Sequence, residues 1–275
     1  MHWWDAVVLG IIQGIGEFLP ISSSGHLVLA RAWMGEGRVP QNLAFDALLH
    51  LATAMSVIVV FHREVGQVLT GVPRLFSPST WKRDFDGHAG FRTLVCIAVS
   101  AVPALAVGLM FKAFLSTFRE RADVVSMVLI ATGCWLLVAS RFAPGQRRLG
   151  LKEAVAMGAA QSVSVIFPGF SRSGSTIGTG LLCGVAREAV GPFAFLMALV
   201  PNLGAAVLKG REILREGAAD AGAPVVVGCL AAFVVGVAAL RWLLPFVRRG
   251  SLRPFGWYCL GVGLVSTAHL VLHAF

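Results

Sequence analysis

The chain has 275 residues, of which 56% are hydrophobic and only 13% charged, with a mean hydropathy of +0.77. Soluble domains run at about 45–50% apolar and about 25% charged residues, so this composition excludes an ordinary soluble fold and indicates an all-α polytopic membrane protein. The net charge of +9 accompanies no basic, aromatic-interleaved stretch outside the loops, which excludes nucleic acid as a partner; the excess reads as basic loops held on the cytoplasmic face.

From the amino terminus, Met1-His2-Trp3-Trp4-Asp5 lacks a basic segment ahead of a clean apolar run, so no cleavable signal peptide is expected. Trp3–Leu19 is apolar but interrupted, breaks at Pro20-Ile21-Ser22-Ser23-Ser24-Gly25-His26 and resumes through Met34. Spans long and apolar enough to cross a bilayer follow at Leu43–His62, Phe91–Lys112 and Ala122–Ser140. Ala154–Phe167 then repeats the interrupted pattern, breaking at Pro168-Gly169-Phe170-Ser171-Arg172-Ser173-Gly174-Ser175-Thr176 and resuming through Val185, before spans at Ala189–Leu208, Ala223–Phe246 and Pro254–His273. The interrupted stretches have halves too short to span and are expected to be re-entrant helix–loop–helix hairpins, giving six transmembrane helices plus two hairpins in a single domain over residues 1–275.

The halves resemble one another. At a constant offset of 148, Gln13 matches Gln161, Pro20 matches Pro168, Phe45 matches Phe193 and Arg63-Glu64 matches Arg211-Glu212. With one gap, Ser22–Gly25 falls on Ser171–Gly174. Internal repeats are therefore expected at about 1–141 and 150–275. Each holds a hairpin and an odd number of spans, so the second copy would be inverted, an architecture that builds anion sites near the midplane from interrupted helices. Counting Arg31 among the loop residues, the basic residues split fourteen against eight between the two sides; this places both termini outside and has the first hairpin entering from the outer face. Trp3, Trp4, Trp33, Trp81, Trp242 and Trp257 fall near span ends as an aromatic belt, and Trp135 is expected to be packed on lipid or helices. Cys96, Cys134, Cys183, Cys229 and Cys259 all lie in apolar stretches without a close pair and read as buried small hydrophobes.

The polar breaks are where chemistry can reside, because non-helical backbone at membrane depth is tolerated only inside protein or beside a wet cavity. Ser22, Ser23 and Ser24, with Ser171, Ser173 and Thr176, offer a neutral donor nest suited to phosphate oxygens, or else merely solvate the helix breaks. Arg172 at this depth needs a partner or a cavity; its fork suits phosphate, and an ion pair with Glu17 is the alternative. Gln13 and Glu17 lie four residues apart on one helix face, where they could hold Mg²⁺ or Ca²⁺ with substrate phosphates completing the shell; a general acid or base at Glu17 is the other reading. His26, three residues after Ser23, would be a base for that hydroxyl or would protonate a leaving oxygen. Asp46, His50 and Thr53 follow at helical spacing and are candidates for the same cavity, Asp46 alternatively capping its helix or meeting solvent. His62, His88, His269 and His273 read as interfacial or loop residues.

Gln13-x-x-x-Glu17-Phe-Leu-Pro-Ile-Ser-Ser-Ser-Gly-His26 and Pro168-Gly-Phe-Ser-Arg-Ser-Gly-Ser-Thr176 together resemble the two signatures of the undecaprenyl-diphosphatase family of the bacitracin-resistance type. The likeness runs end to end and includes Phe45-Asp46 and Pro201…Gly204-Ala205. It implies hydrolysis of undecaprenyl pyrophosphate to undecaprenyl phosphate and inorganic phosphate, recycling the cell-wall lipid carrier at the outer face of a bacterial inner membrane. By motif position it implies a divalent cation on Gln13 and Glu17, Ser23 as nucleophile or phosphate ligand, His26 as its acid/base partner and Arg172 as phosphate clamp, with Ser22, Ser24, Ser171, Ser173 and Thr176 supporting. The expected partners are that lipid and the bilayer; a homodimer is left open. His50 and Ala52 depart from the Gln and Gly usual in the family, which bears on the cavity wall. The rival reading is a transporter or flippase for a prenyl-phosphate or another anion, since interrupted inverted repeats also serve transport. The other lipid-phosphatase class is excluded, because Gly178 stands where its signature requires His, with five residues between it and the arginine.

Overall fold

A computed structural model describes residues 2–34, 43–111, 121–142, 145–216, 222–249 and 251–272. The described chain is helical apart from two isolated parallel bridges, Gly145 to Ala186 and Arg147 to Val185. In chain order the helices are α1 (Trp3–Gly16), α2 (Ser23–Met34), α3 (Leu43–Val60), α4 (His62–Gly71), two 3₁₀ turns (Val72–Phe76 and Pro78–Thr80), α5 (Trp81–Gly87), α6 (Ala89–Met110), α7 (Ala122–Ala139), α8 (Leu151–Ile166), α9 (Arg172–Leu182), α10 (Arg187–Glu216), α11 (Ala223–Arg249) and α12 (Arg253–Leu272).

Four of these, α6, α7, α11 and α12, are long and apolar enough to cross a membrane; α3 adds a fifth if it and α4, bent by 87°, form one span. Their outward faces are apolar. Val102, Leu105, Leu109 and Met110 on α6, Val226, Leu230 and Val234 on α11, and Val265 and Leu272 on α12 are all exposed, an arrangement that suits a hydrocarbon solvent rather than water. Helix α10 is not among the apolar spans: it contains Pro192 and Pro201 and has charged residues at both ends. The belt tryptophans are all exposed, Trp3 through Trp257. Of the loop residues counted for orientation, Arg38, Lys112 and Arg119 lie outside the described residues, as does His273. Arg31 is not a loop residue at all: it is buried on α2.

The first break is shorter and earlier than the serine run suggested. Helix α1 stops at Gly16 and α2 already starts at Ser23, so Ser23, Ser24, Gly25 and His26 belong to the first turns of α2. Pro20 cannot continue α1, and Ser22, at φ 72°, turns the chain through the left-handed region. The second break has the same logic. Phe167 is extended, as a residue before proline must be, and Gly169 takes φ 99°. Each new helix is then capped by its preceding serine: Ser22 Oγ accepts from Gly25 N at 3.3 Å and Ser171 Oγ from Gly174 N at 3.1 Å.

Helix α1 packs on α2 and along α11, α8 packs on α9 and along α6, α7 pairs with α12, and α3 lies against α10 and α11. Glycine permits the two long crossings, as small residues do where helix backbones approach closely in membranes. A Cβ at Gly10 would meet Gly228 O at 2.2 Å, and one at Gly158 would meet Ser100 O at 2.2 Å; these glycines share the offset of the glutamines. Between α4 and α6, Asp84 of α5 accepts from Thr80 at 2.7 Å and Arg74 at 2.9 Å, and the Thr80 hydroxyl, then the Arg74 and Arg83 guanidiniums, hold its carboxyl below the usual range. Gly10→Ala and Gly158→Ala are each expected to cost about 1–3 kcal/mol through overpacking, read as a lower unfolding temperature in detergent by tryptophan fluorescence. Gly261→Ala, whose Cβ would meet nothing within 4 Å, is expected to leave it unchanged or raise it.

Candidate active site

The two breaks meet. A Cβ at Gly25 would stand 3.0 Å from Gly169 Cα, and Ser173 Oγ donates to the Leu19 carbonyl at 3.1 Å. Helix α7 braces the second break from behind: Thr132 Oγ1 donates to Gly169 O at 3.0 Å, and Trp135 Nε1, expected only to pack, donates to Gly174 O at 3.3 Å. Because α2 and α9 both begin here, their unsatisfied N–H groups and positive dipole ends converge on one place.

Glu17 is the centre of this place. Its side chain is 4% exposed, and each oxygen is surrounded by donors. Oε1 accepts from Arg172 Nη2 at 2.7 Å and from Asn202 Nδ2 at 2.9 Å. Oε2 accepts from Gln13 Nε2 at 3.0 Å and Ser23 Oγ at 2.9 Å, and lies 3.3 Å from His50 Nδ1. Asn202 closes a ring by accepting from Arg172 Nη1 at 2.6 Å. The ion pair weighed from sequence is therefore formed, and it joins residues 155 positions apart. Burial of a carboxylate on this scale is tolerable only with such pairing and hydrogen bonding.

A cavity of about 500 Å³ opens beside the pair, lined by Glu17, Ser22, Ser23, Ser24, Arg172 and Ser173 among others. Gln13 lies behind Glu17, fully buried. Its Oε1 has no hydrogen-bond partner among the described residues, which fits it to hold a cation or another donor. No group of three or more His, Cys, Asp or Glu able to hold a metal occurs among the described residues, so a cation here would take most of its ligands from phosphate oxygens and water.

Besides Gln13, three of the expected site residues stand apart from the cavity. His26 does not reach Ser23: Nδ1 contacts the Ser22 carbonyl at 2.9 Å and Nε2 the Tyr258 hydroxyl at 3.0 Å. Residues three apart share a helix face, but both ring nitrogens are engaged elsewhere, on the Ser22 carbonyl and on Tyr258 of α12. The imidazole beside Glu17 is that of His50, which also meets Gln13 Nε2 at 3.0 Å. Ser171 Oγ is occupied as the α9 cap, and Thr176 Oγ1 bonds back to the Arg172 carbonyl at 2.9 Å. Asn202 and Gln161 were missed. Asn202 follows Pro201, which leaves the Met197 carbonyl without its helical partner, and only the tertiary fold aims it at Glu17. Gln161 lines the cavity, is buried, and has an unpartnered Oε1; its match to Gln13 was the available signal.

Residues 6–265 match the family model of the bacitracin resistance protein BacA. The chain belongs to the BacA family. Relatives named undecaprenyl-diphosphatase include one from Bacteroides fragilis, 37% identical over 272 residues, covering 97% of each chain. Another, from Salinibacter ruber, is 36% identical over 265 residues, covering 96% of this chain and 97% of its own. A third, from Parabacteroides distasonis, is 37% identical over 278 residues and covers 99% of this chain and all of its own. The polar ring thus sits in a chain of the BacA family, made from the residues that carried the resemblance together with Asn202 and His50.

Removing one charge of a buried pair leaves the other uncompensated. Glu17→Ala and Arg172→Ala are each expected to destabilise the protein by about 3 kcal/mol in detergent denaturation, whereas the double substitution costs clearly less than the sum of the two. Additive losses would show that the pair carries no coupling.

Proposed function

We propose that this protein hydrolyses undecaprenyl diphosphate to undecaprenyl phosphate and inorganic phosphate, recycling the lipid carrier of cell-wall synthesis and conferring resistance to bacitracin. The observation that carries this reading is the Glu17–Arg172 pair at 2.7 Å, set at the wall of a cavity where α2 and α9 both begin. A diphosphate is a dense anion whose transition state spreads charge over peripheral oxygens, and a guanidinium with two helix N-termini supplies preorganised stabilisation for it. Arg172 then exchanges Glu17 for a phosphoryl oxygen, and Asn202 keeps its fork oriented.

In this reading Ser23 Oγ, which donates to Glu17 Oε2 at 2.9 Å, is the nucleophile, and Glu17 takes its proton. The anhydride P–O bond breaks toward the lipid phosphate, and water then releases the phosphoryl group from Ser23 as inorganic phosphate. His26 acts through position: its ring holds the carbonyl of Ser22, the residue in the left-handed conformation, and thereby sets the angle at which Ser23 enters the cavity. Ser24, exposed on the cavity wall, supports a phosphate oxygen, while Ser22 and Ser173 hold the two breaks in place. Gln13 and Glu17 would hold Mg²⁺ or Ca²⁺, which when bound neutralises phosphate charge. Transport alone is the weaker reading, since an anion carrier has no use for a serine hydroxyl that donates to a buried carboxylate.

The proposed setting is the bacterial inner membrane, with six spans, α1–α2 and α8–α9 as re-entrant hairpins of an inverted repeat, both termini outside and the site open to the periplasm. The packing of α1 on α11 and of α8 on α6, which interchanges the halves, supports the repeat.

Purified protein in detergent is expected to release phosphate from a long-chain prenyl diphosphate and to stop when divalent metal is chelated. Ser23→Ala, Glu17→Gln and Arg172→Lys should each lose at least ~100-fold in kcat; near-normal turnover of all three would refute the site, and wild-type protein that releases no phosphate would refute the reaction. In a background without the five native cysteines, Ser24→Cys should react with an impermeant maleimide on intact cells. Reaction only after permeabilisation would reverse the orientation.

A further inference from the structure

The cavity that holds Glu17 and Arg172 has a second arginine on its wall. Arg31 of α2 and Asp46 of α3 both line it and face each other as a two-pronged ion pair, Arg31 Nη1 to Asp46 Oδ2 at 3.2 Å and Nη2 to Oδ1. The Arg31 side chain is 8% exposed and that of Asp46 21%. Among the described residues the buried Arg31 Nε has no hydrogen-bond partner, so the guanidinium is charged, enclosed and not fully satisfied.

Such a pair is weak evidence for stability, because desolvation offsets most of the attraction. It does, however, hold a bidentate anion-binding fork next to a cavity. Arg172 offers one guanidinium to a substrate with two phosphoryl groups, and the reading of the active site above leaves the second group without a cation from the chain. Taking that reading as its basis, we propose that Arg31 is a second substrate-binding arginine, stored on Asp46 and transferred to the phosphoryl group that Arg172 does not hold. Asp46 is the more exposed member, so water can take over its oxygens once the guanidinium turns away. The pair thereby sets preference for a diphosphate over a monophosphate.

The two partners should then respond with opposite sign. Arg31→Ala is expected to raise KM for the prenyl diphosphate, and the inhibition constant of inorganic pyrophosphate, by about tenfold or more, with kcat and the inhibition constant of orthophosphate little changed. Asp46→Asn, which leaves Arg31 without its competitor, is expected to lower KM and to tighten inhibition by pyrophosphate. An unchanged KM in Arg31→Ala, or a KM raised alike by both substitutions together with a lower unfolding temperature, would overturn the proposal and leave a structural pair. If Arg31→Ala does not fold, Asp46→Asn alone decides by the sign of its KM change. Calorimetric binding of inorganic pyrophosphate to wild-type and Arg31→Ala protein separates this inference from the reaction itself: weaker binding by the variant supports it even when no phosphate is released, and equal binding rejects it.

Discussion

The structure depends on a carboxylate and a guanidinium meeting between two interrupted helices. Neither charge can be left alone in a low-dielectric interior, where even after relaxation the penalty is several kcal/mol per ion. Glu17 ends α1 and Arg172 starts α9, so their pairing fixes the distance between the halves of the molecule. The surrounding donors serve the same requirement. Gln13, Ser23, His50 and Asn202 come from four helices, and all four side chains converge on Glu17. A single carboxylate therefore organises α1, α2, α3, α9 and α10 into one wall, and the cavity is the space those helices leave where two of them begin.

That both α1 and α8 break was legible because the signals are local. Proline followed by serine and glycine inside an apolar run has few helical solutions, and the repeat at an offset of 148 showed the pattern twice. The ends of α6, α7, α11 and α12 fall within a few residues of the apolar runs for a similar reason, since a helix in lipid must satisfy its own backbone until polarity returns. The serines were less legible. In sequence they look like a free donor nest, but a serine before a helix is first a cap, and Ser22 and Ser171 spend their hydroxyls on Gly25 and Gly174.

What the sequence pattern could not carry is contact across long separations. Asn202 reads as one polar residue in a helix until α10 is laid against α3 and the side chain meets Glu17, and His26 reads as the partner of Ser23 until the Ser22 carbonyl and Tyr258 take up its ring. Arg31 was misplaced for a physical reason too. A basic residue shortly before a stretch of glycine and charge resembles a loop end in the hydropathy profile, and only the position of Asp46 on α3 shows that the guanidinium is drawn inward.

Two arginines on one cavity, each matched by its own carboxylate, amount to a site that is electrically neutral when it holds no substrate. A membrane-embedded anion site faces conflicting demands: it must attract a multiply charged headgroup, yet survive without it in surroundings where an unpaired cation is costly. Storing each guanidinium on a carboxylate meets both. The attraction to phosphate is lowered by what it takes to part the pair, and that cost returns when the products leave and the pairs re-form. A guanidinium suits this exchange better than an ammonium, because its planar fork fits a carboxylate and a phosphate with the same two parallel hydrogen bonds. Glu17 differs from Asp46 in what it gains on release. Freed from Arg172 it still accepts from Ser23, so the separation of that pair leaves a carboxylate facing a hydroxyl, whereas Asp46, on the more open wall, is left facing water.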